Sequence, residues 1–167
     1  MLAGMYLKVK GKTQGEIKGS VVQENHDGKI HVYAFKHDYD MPAKMQDGLT
    51  PGASARGVLT LTKEMDRSSP QFLQALGKRE KLTDFELEIY RPKLDGSGTT
   101  ELEFTLKLKD VLVVHIDEYS RKPHEGGGDG IKDGVLGHME DISFTYQGFS
   151  MEHKESGVSG EASWLNG

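Results

Sequence analysis

The segment that decides the fold runs from Thr100 to Val114 and reads TELEFTLKLKDVLVV. Apolar and polar residues alternate along it, which is the period of a β-strand with one buried face and one wetted face. From Val111 to Val114 both faces become apolar, so this part is expected to be central or covered on both sides. The core-facing residues are predicted to be Leu102, Phe104, Leu106 and Leu108, and the outward-facing ones Glu101, Glu103, Thr105, Lys107 and Lys109.

Alternating segments also precede this strand. Asp95-Gly96-Ser97-Gly98 is a turn signal, so residues 85–90 are predicted to form a hairpin with the strand that follows. The glutamates at 86 and 88 would then oppose Lys107 and Lys109 across the sheet. Three more strands are predicted nearer the N-terminus, at residues 6–10, 29–37 and 56–63.

The C-terminal part changes phase once. Apolar residues alternate from Ile142 to Tyr146, and Phe149 and Met151 then alternate in the opposite phase. Gly148 stands at the change, where a β-bulge would re-aim one continuous strand. A last strand is predicted from residue 158 to residue 164.

One helix interrupts the strands, at about residues 69–79. Ser68 is a favoured N-cap residue and Pro70 suits the first turn. Phe72, Leu73 and Leu76 then form an apolar stripe. One helix among many strands predicts a mainly β fold, either an antiparallel β-barrel or two packed β-sheets with one α-helix, in a single domain spanning 1–167.

Two segments are too long to be plain connections. Residues 38–55 contain two prolines and two glycines and are predicted to form an extended protruding loop. Residues 122–137 contain the run GGGDG. Loops longer than about 12–15 residues in a compact domain usually bind something or lack fixed structure. The first segment is the better candidate for a contact, and the glycine-rich second one for mobility.

Composition limits the class of partner. The chain of 167 residues has 21 basic and 26 acidic side chains and a net charge of −5, which argues against nucleic-acid binding. A local basic patch is still compatible with this composition. The absence of cysteine excludes disulfides, cysteine-ligated zinc and thiol catalysis. Lys8 comes before any apolar stretch forms, and no apolar run approaches the roughly 20 residues of a membrane span. Neither a secretory signal nor membrane insertion is therefore expected.

Motifs for catalysis occur only as fragments. Gly11-Lys12-Thr13 resembles the end of a phosphate-binding loop, but Tyr6 stands where the first glycine of that loop should be. The seven histidines include no HExxH pattern, and His31 and His37 are too far apart to form a metal pair unaided. A triad assembled only in space would escape such a search. We expect no catalytic residue, no metal and no cofactor, and we do not expect an enzyme.

Six segments, in their order along the chain, resemble the haemolysin-coregulated protein (Hcp) family, the inner-tube proteins of bacterial type VI secretion. The resemblance extends from Met5 to Trp164 and departs along residues 38–55 and 122–137. The segments that carry it are GMYLKV at 4–9, GEIKGS at 15–20, IHVYAF at 30–35, DRSSPQFL at 66–73, LKLKDVLV at 106–113 and EDISFTY at 140–146.

The resemblance implies a structural subunit that forms homo-hexameric rings, which stack into a tube able to carry effectors. Its partners would be a contractile sheath, a spike or tip protein and effector proteins. The protein would reside in the bacterial cytoplasm before firing and leave through the type VI apparatus without a signal peptide. Because the sequence ends at Gly167, no fused toxin domain is expected. A phage-type tail-tube protein and a small-ligand-binding β-barrel stay open as alternatives.

The residues allow two predictions about the surface of such a subunit. Ordering the loop at 38–55 costs backbone entropy, and docking its three large apolar side chains on a neighbouring subunit would offset that cost. Those interface candidates are Met41, Met45 and Leu49. In the strand at 29–37, Tyr33 and Phe35 are predicted to pack inward. Ala34 and Lys36 are then predicted to face the lumen of the ring.

Overall fold

The structure is a computed structural model that describes residues 4–40, 56–120 and 137–163. Within these residues the chain forms eleven strands and one helix. In chain order they are β1 (Met5–Gly11), β2 (Gly15–Ile17), β3 (Ile30–Val32), β4 (Ala34–Asp40), β5 (Arg56–Glu64), α1 (Ser69–Lys78), β6 (Leu82–Pro92), β7 (Thr100–Lys109), β8 (Leu112–Ser120), β9 (His138–Thr145), β10 (Gly148–His153) and β11 (Val158–Ser163).

The strands form two antiparallel sheets that pack together. The large sheet has the order β11-β10-β7-β6-β1-β2, with β3 also paired to β1, and the small sheet has the order β4-β5-β9-β8. Apolar side chains of both sheets share one core, among them Leu7 and Leu106 of the large sheet and Leu59 and Phe144 of the small sheet. The predicted mainly β fold with two packed sheets and one helix is confirmed.

The hairpin predicted around Asp95-Gly96-Ser97-Gly98 is also confirmed, because β6 and β7 pair on either side of it. Glu86 directly opposes Lys107, as predicted. Glu88 opposes Thr105 and not Lys109, because the strands are antiparallel and two residues forward from Glu86 correspond to two residues back from Lys107.

The chain crosses between the sheets at two places where a single strand was predicted. Residues 29–37 divide at Tyr33 into β3 of the large sheet and β4 of the small sheet. Gly148 does not form a bulge within one strand but begins β10 in the large sheet, after β9 has ended in the small sheet. Both predictions were wrong because alternation continues through such a corner, and only the pairing partners show that the sheet has changed.

The predicted loop at 38–55 begins later than expected. Asp38 opposes Val58 and Asp40 opposes Arg56, so these residues belong to β4. The rest of the loop, with Met41, Met45 and Leu49, lies outside the described residues. Residues 122–136 of the glycine-rich segment also lie outside them.

Helix α1 lies close to its predicted position and ends at Lys78; the C-cap residue, Arg79, adopts the left-handed conformation with φ 51°. Phe72 and Ala75 are buried, and the ring of Phe72 contacts that of Phe144 at 5.8 Å between centroids. Leu73 was placed in the apolar stripe but is exposed, because it lies about 100° around the helix from Phe72. No described helix is long and apolar enough to span a membrane.

Candidate assembly surface

The small sheet is open on both sides. Within the described residues, β4 pairs only with β5, and β8 pairs only with β9. The outer side of each edge strand therefore presents backbone N–H and C=O groups that this sheet does not pair. Such edges are either protected or used to accept a strand from another chain. The two edges are the candidate contact sites of this molecule.

Strand β4 is an exposed edge rich in aromatic residues. Every residue in it is exposed except His37, which is half-buried. Phe35 is 40% exposed, Tyr39 is 49% exposed, and Tyr33, just before the strand, is 49% exposed. Phe35 directly opposes the buried Leu61, so these aromatic side chains lie on the face that turns toward the core.

The prediction that Tyr33 and Phe35 pack inward is therefore wrong with respect to burial. They lie on the expected face, but no described strand extends beyond β4 to cover them. Ala34 and Lys36 lie on the opposite face, as alternation requires. At an edge, a core-directed side chain can lack a neighbour on one side, and the sequence pattern could not show that this strand is at an edge.

The outer face of the small sheet is polar. Ala34 opposes Thr62, and Lys36 opposes Thr60. Thr60 Oγ1 lies 2.9 Å from Ser143 Oγ, and the Thr62 hydroxyl donates to Asp141 Oδ1 at 2.7 Å. Hydroxyl and charged side chains therefore continue from β4 across β5 to β9.

His37 fastens the edge strand to the rest of the protein. Its Nε2 is hydrogen-bonded to the Tyr146 hydroxyl, and its ring lies edge-on to Phe149 with 4.9 Å between centroids. Gly57 leaves room for this contact, because a Cβ there would lie 2.0 Å from Tyr146 Oη. Nδ1 of His37 is buried without a hydrogen-bond partner among the described residues. Burial lowers the pKa of His37 more than Asp38 raises it, and burial raises the pKa of Tyr146 to about 12.

The second edge of the small sheet, β8, is interrupted by a bulge. Val113 opposes Phe144 and His115 opposes Ser143, so Val114 has no partner on β9 and forms a bulge. Val114 is 45% exposed. Helix α1 packs against this strand.

The residues considered as possible metal ligands or as part of a phosphate-binding loop do not come together in the described part of the structure. In the described ranges, no group of three or more His, Asp or Glu side chains could hold a metal ion. His31 is in the large sheet and His37 in the small sheet. Gly11-Lys12-Thr13 forms the connection between β1 and β2, where the Lys12 N–H donates to the carbonyl of Lys81 at 2.9 Å.

Comparison with protein families gives one match over most of the chain. The family described as "Type VI secretion system effector, Hcp" matches residues 6–153. A relative, the "Major exported protein" of Pseudomonas aeruginosa, is 31% identical over 173 aligned residues, which cover 98% of this chain and 96% of the relative.

Two solved structures with the same fold each cover nearly the whole length of this chain. "Secreted protein Hcp3 from Pseudomonas aeruginosa" is 27% identical with a TM-score of 0.73, covering 98% of this chain and 99% of that one. The structure described as "Crystal structure of Hcp protein" has a TM-score of 0.79 over 96% of this chain and 99% of that one. At 24% identity, the second structure shows the shared fold alone.

Proposed function

Because this chain belongs to the Hcp family of type VI secretion proteins, we propose that it is a structural subunit of the secretion tube. Six copies close into a ring, and the rings stack into a tube that is expelled from the cell and can carry effectors in its lumen. Residues 1–167 act as one tube domain. This role needs contact surfaces and no catalytic centre, so the proposal includes neither an enzymatic activity nor a cofactor.

The open edges of the small sheet are the observation that carries this proposal. A ring requires two different surfaces on each subunit, one of which fits the other on the next copy. Strand β4 supplies one edge and β8 the other. Joining β4 of one copy to β8 of the next would continue the small sheet from subunit to subunit and would cover Phe35. A fully buried side chain of this size contributes up to about 1.5–3 kcal/mol.

The outer face of the small sheet is the proposed wall of the lumen. The inner face is covered by the large sheet, which has seven strands against four and therefore suits the longer outer circumference of a ring. The hydroxyl and charged groups around Thr60 and Thr62 would then line the channel, together with Ala34 and Lys36. A wetted surface of this kind suits the passage of different cargo proteins.

The loop predicted at 38–55 is assigned a contact role from its sequence. We propose that Met41, Met45 and Leu49 dock on an adjacent subunit of the same ring or of the next one. Burial of three large apolar side chains at such a contact would offset the entropy lost when the loop is ordered.

The proposed partners follow from membership of the secretion system. They are a contractile sheath, a spike or tip protein, and effector proteins. The subunit would assemble in the bacterial cytoplasm and leave through the type VI apparatus without a signal peptide. The names of two relatives, "Major exported protein" and "Secreted protein Hcp3", support export.

Native mass spectrometry of the purified chain at micromolar concentration tests ring formation. The expected species has six times the chain mass of 18.5 kDa. Negative-stain images of the same sample should show rings with an open centre. A protein that stays monomeric at every concentration and salt level would contradict the proposal.

A further inference from the structure

The connection between β2 and β3 lies against the outer face of the large sheet. Alternation along β1 places Leu7 in the core and Tyr6 on the outer face of the sheet. Tyr6 is nevertheless only 7% exposed, because the ring of His26 covers it from the connection. Residues 20–28, which include this histidine, are called the strap.

One buried side chain anchors the strap to the sheet. His26 is 9% exposed, and every other residue of the strap is exposed or half-buried. The His26 ring stacks on Tyr6 with 4.0 Å between centroids and 3° between the planes, and Tyr90 lies edge-on to it at 5.0 Å. The Tyr6 hydroxyl also donates to Oε1 of the exposed Gln23 at 3.1 Å. The residue that fixes the strap is therefore one that titrates near neutral pH.

The buried side of His26 offers no acceptor for a second ring proton. Nδ1 is buried and has no hydrogen-bond partner among the described residues. A neutral imidazole can leave this nitrogen unprotonated, whereas an imidazolium carries an N–H on both ring nitrogens. Protonation in the closed strap would thus bury a donor without an acceptor, which costs free energy.

The groups around His26 do not supply the missing acceptor. Glu88 on β6 already pairs with Lys29 and accepts from the Tyr90 hydroxyl at 3.0 Å. The face of the Tyr6 ring attracts cations, but the parallel stacking directs the histidine N–H groups along that face and not toward it. Burial lowers the pKa of His26 most, Lys29 lowers it further, and Glu88 raises it by less than the two together.

A second histidine also faces Tyr6. His31 on β3 directly opposes Tyr6, with 5.7 Å between the ring centroids. Burial lowers the pKa of His31 more than Glu64 raises it. Because this histidine is on a paired strand and not in the strap, its protonation removes no anchor from the strap. The strap has two further titratable side chains, both exposed, which are Glu24 and Asp27.

We propose that His26 is an acid-sensitive switch: its neutral ring holds the strap against the large sheet, and its protonation releases the strap and uncovers Tyr6 and Tyr90. Once the strap has opened, water solvates the imidazolium, so acid favours the open form. The closed form binds the proton less readily than the open form does. The closed strap is therefore fully favoured above the ordinary histidine pKa of about 6.5 and is lost as the pH falls below it.

This switch is a property of the single chain and goes beyond the proposed ring function. In the proposed ring, the large sheet forms the outer circumference. Acid would then uncover two tyrosine rings on the outside of the tube.

Hydrogen exchange of the full chain at pH 7.5 and pH 5, read by mass spectrometry, tests the switch. The N–H groups of Val21, His26 and Gly28 donate to backbone carbonyls in the closed connection, so their exchange reports its opening. After correction for the intrinsic pH dependence of exchange, we expect about five- to thirtyfold faster exchange at pH 5. The upper figure of about thirtyfold applies if His26 stays neutral in the closed strap and has a pKa of about 6.5 in the open one. Peptides from β7 should not change.

Two substitutions of the anchor and one matched control assign the effect. His26→Phe and His26→Gln cannot take up a proton at this position. Either variant can hold the strap less tightly than the parent, but its corrected exchange should be the same at both pH values. His31→Gln removes the other histidine that faces Tyr6 and should keep the pH dependence of the parent.

Several outcomes would overturn the switch. Strap exchange in the parent that does not depend on pH would do so, as would a pH dependence that persists in both His26 variants. A pH dependence that disappears in His31→Gln would assign the effect to His31 instead. Equal loss of protection in β7 would mean that acid unfolds the whole protein. None of these measurements requires ring formation, so the switch and the proposed function can fail separately.

Discussion

Lys63 on β5 and Glu140 on β9 lie directly opposite each other in the small sheet, and both side chains are buried. They form an ion pair, and the hydroxyl of Ser69, the first residue of α1, donates to the same carboxylate at 2.6 Å. The ammonium group of Lys63 also lies 3.1 Å from Asp66. This cluster ties two central strands to the beginning of the helix.

The replacement Lys63→Met should strongly destabilise the fold. It leaves the buried carboxylate of Glu140 without its cation, and one oxygen of that carboxylate already has no partner among the described residues. Breaking a buried pair on one side costs about 3–5 kcal/mol, whereas replacing both partners by apolar groups is often neutral. Urea unfolding at fixed protein concentration should therefore show a large loss for Lys63→Met and a much smaller one for Lys63→Met/Glu140→Leu.

An exposed ion pair provides the control for this prediction. Lys10 and Asp84 are 3.7 Å apart, with both side chains about half or more exposed. Lys10→Met should change the free energy of unfolding by less than about 1 kcal/mol. Equal losses of unfolding free energy for Lys63→Met and Lys10→Met would show that the buried cluster stabilises the fold no more than an exposed ion pair does.

Acid should loosen the edge strand through His37. Burial lowers the pKa of His37, so the unfolded chain binds its proton more readily than the folded chain does. The free energy of unfolding is then fully available above the ordinary histidine pKa of about 6.5 and falls as the pH drops from there toward the lowered value. His37→Gln removes this titration and can keep a hydrogen bond to Tyr146. Its stability should depend less on pH between 7 and 5 than that of the parent, as measured by urea unfolding. An identical pH dependence would exclude His37 as a contributor.

Charges placed on either open edge should prevent ring closure. Phe35→Glu blocks β4 and Val114→Glu blocks β8, so each variant alone should lose the hexamer in native mass spectrometry. A mixture of the two retains one intact β4–β8 contact per pair and should yield dimers but no rings. Val22→Glu, at a position that is 90% exposed in the loop after β2, is the matched control and should leave the hexamer unchanged.

Circular dichroism of the edge variants separates loss of assembly from loss of folding. Both should keep the strand signal of the parent, because Phe35 and Val114 are each at least 40% exposed. Hexamers that persist in both variants would remove the small-sheet edges from the ring contact.

Shortening the loop after β4 should weaken assembly but not folding. A short Gly-Ser linker in place of residues 41–54 removes the three apolar side chains that we assign to a neighbouring subunit. Strand content should stay near that of the parent. The hexamer, or the stack of rings, should dissociate at a higher protein concentration than the parent assembly does. A variant that assembles as well as the parent, or one that does not fold at all, would contradict the assignment.

The sequence by itself determined the type of most elements. Alternation from Glu101 to Lys109 predicted β7 and the burial of Leu106 and Leu108, although Leu102 and Phe104 are only half-buried. The turn at residues 95–98 predicted the hairpin with β6. Ser68 and Pro70 placed the beginning of α1 correctly, although the Ser68 hydroxyl donates to Asp66 and makes no capping hydrogen bond to the helix. These features are local, because the period of a strand and the capping of a helix depend on residues that are near one another in the chain. The ordered short motifs also indicated the Hcp family.

Only the tertiary structure decided which residues are at an edge, at a corner or in a buried cluster. Phe35 alternates like a core residue but is exposed, because no described strand pairs with the outer side of β4. Gly148 begins a strand in the other sheet, which no local pattern distinguishes from a bulge. In the sequence, Lys63 is an ordinary residue at the end of a predicted strand. In the fold, β9 places Glu140, which is 77 residues away in the chain, directly against it. Strand order and register depend on contacts between distant segments, so the open edges of the small sheet exist only once the chain is folded.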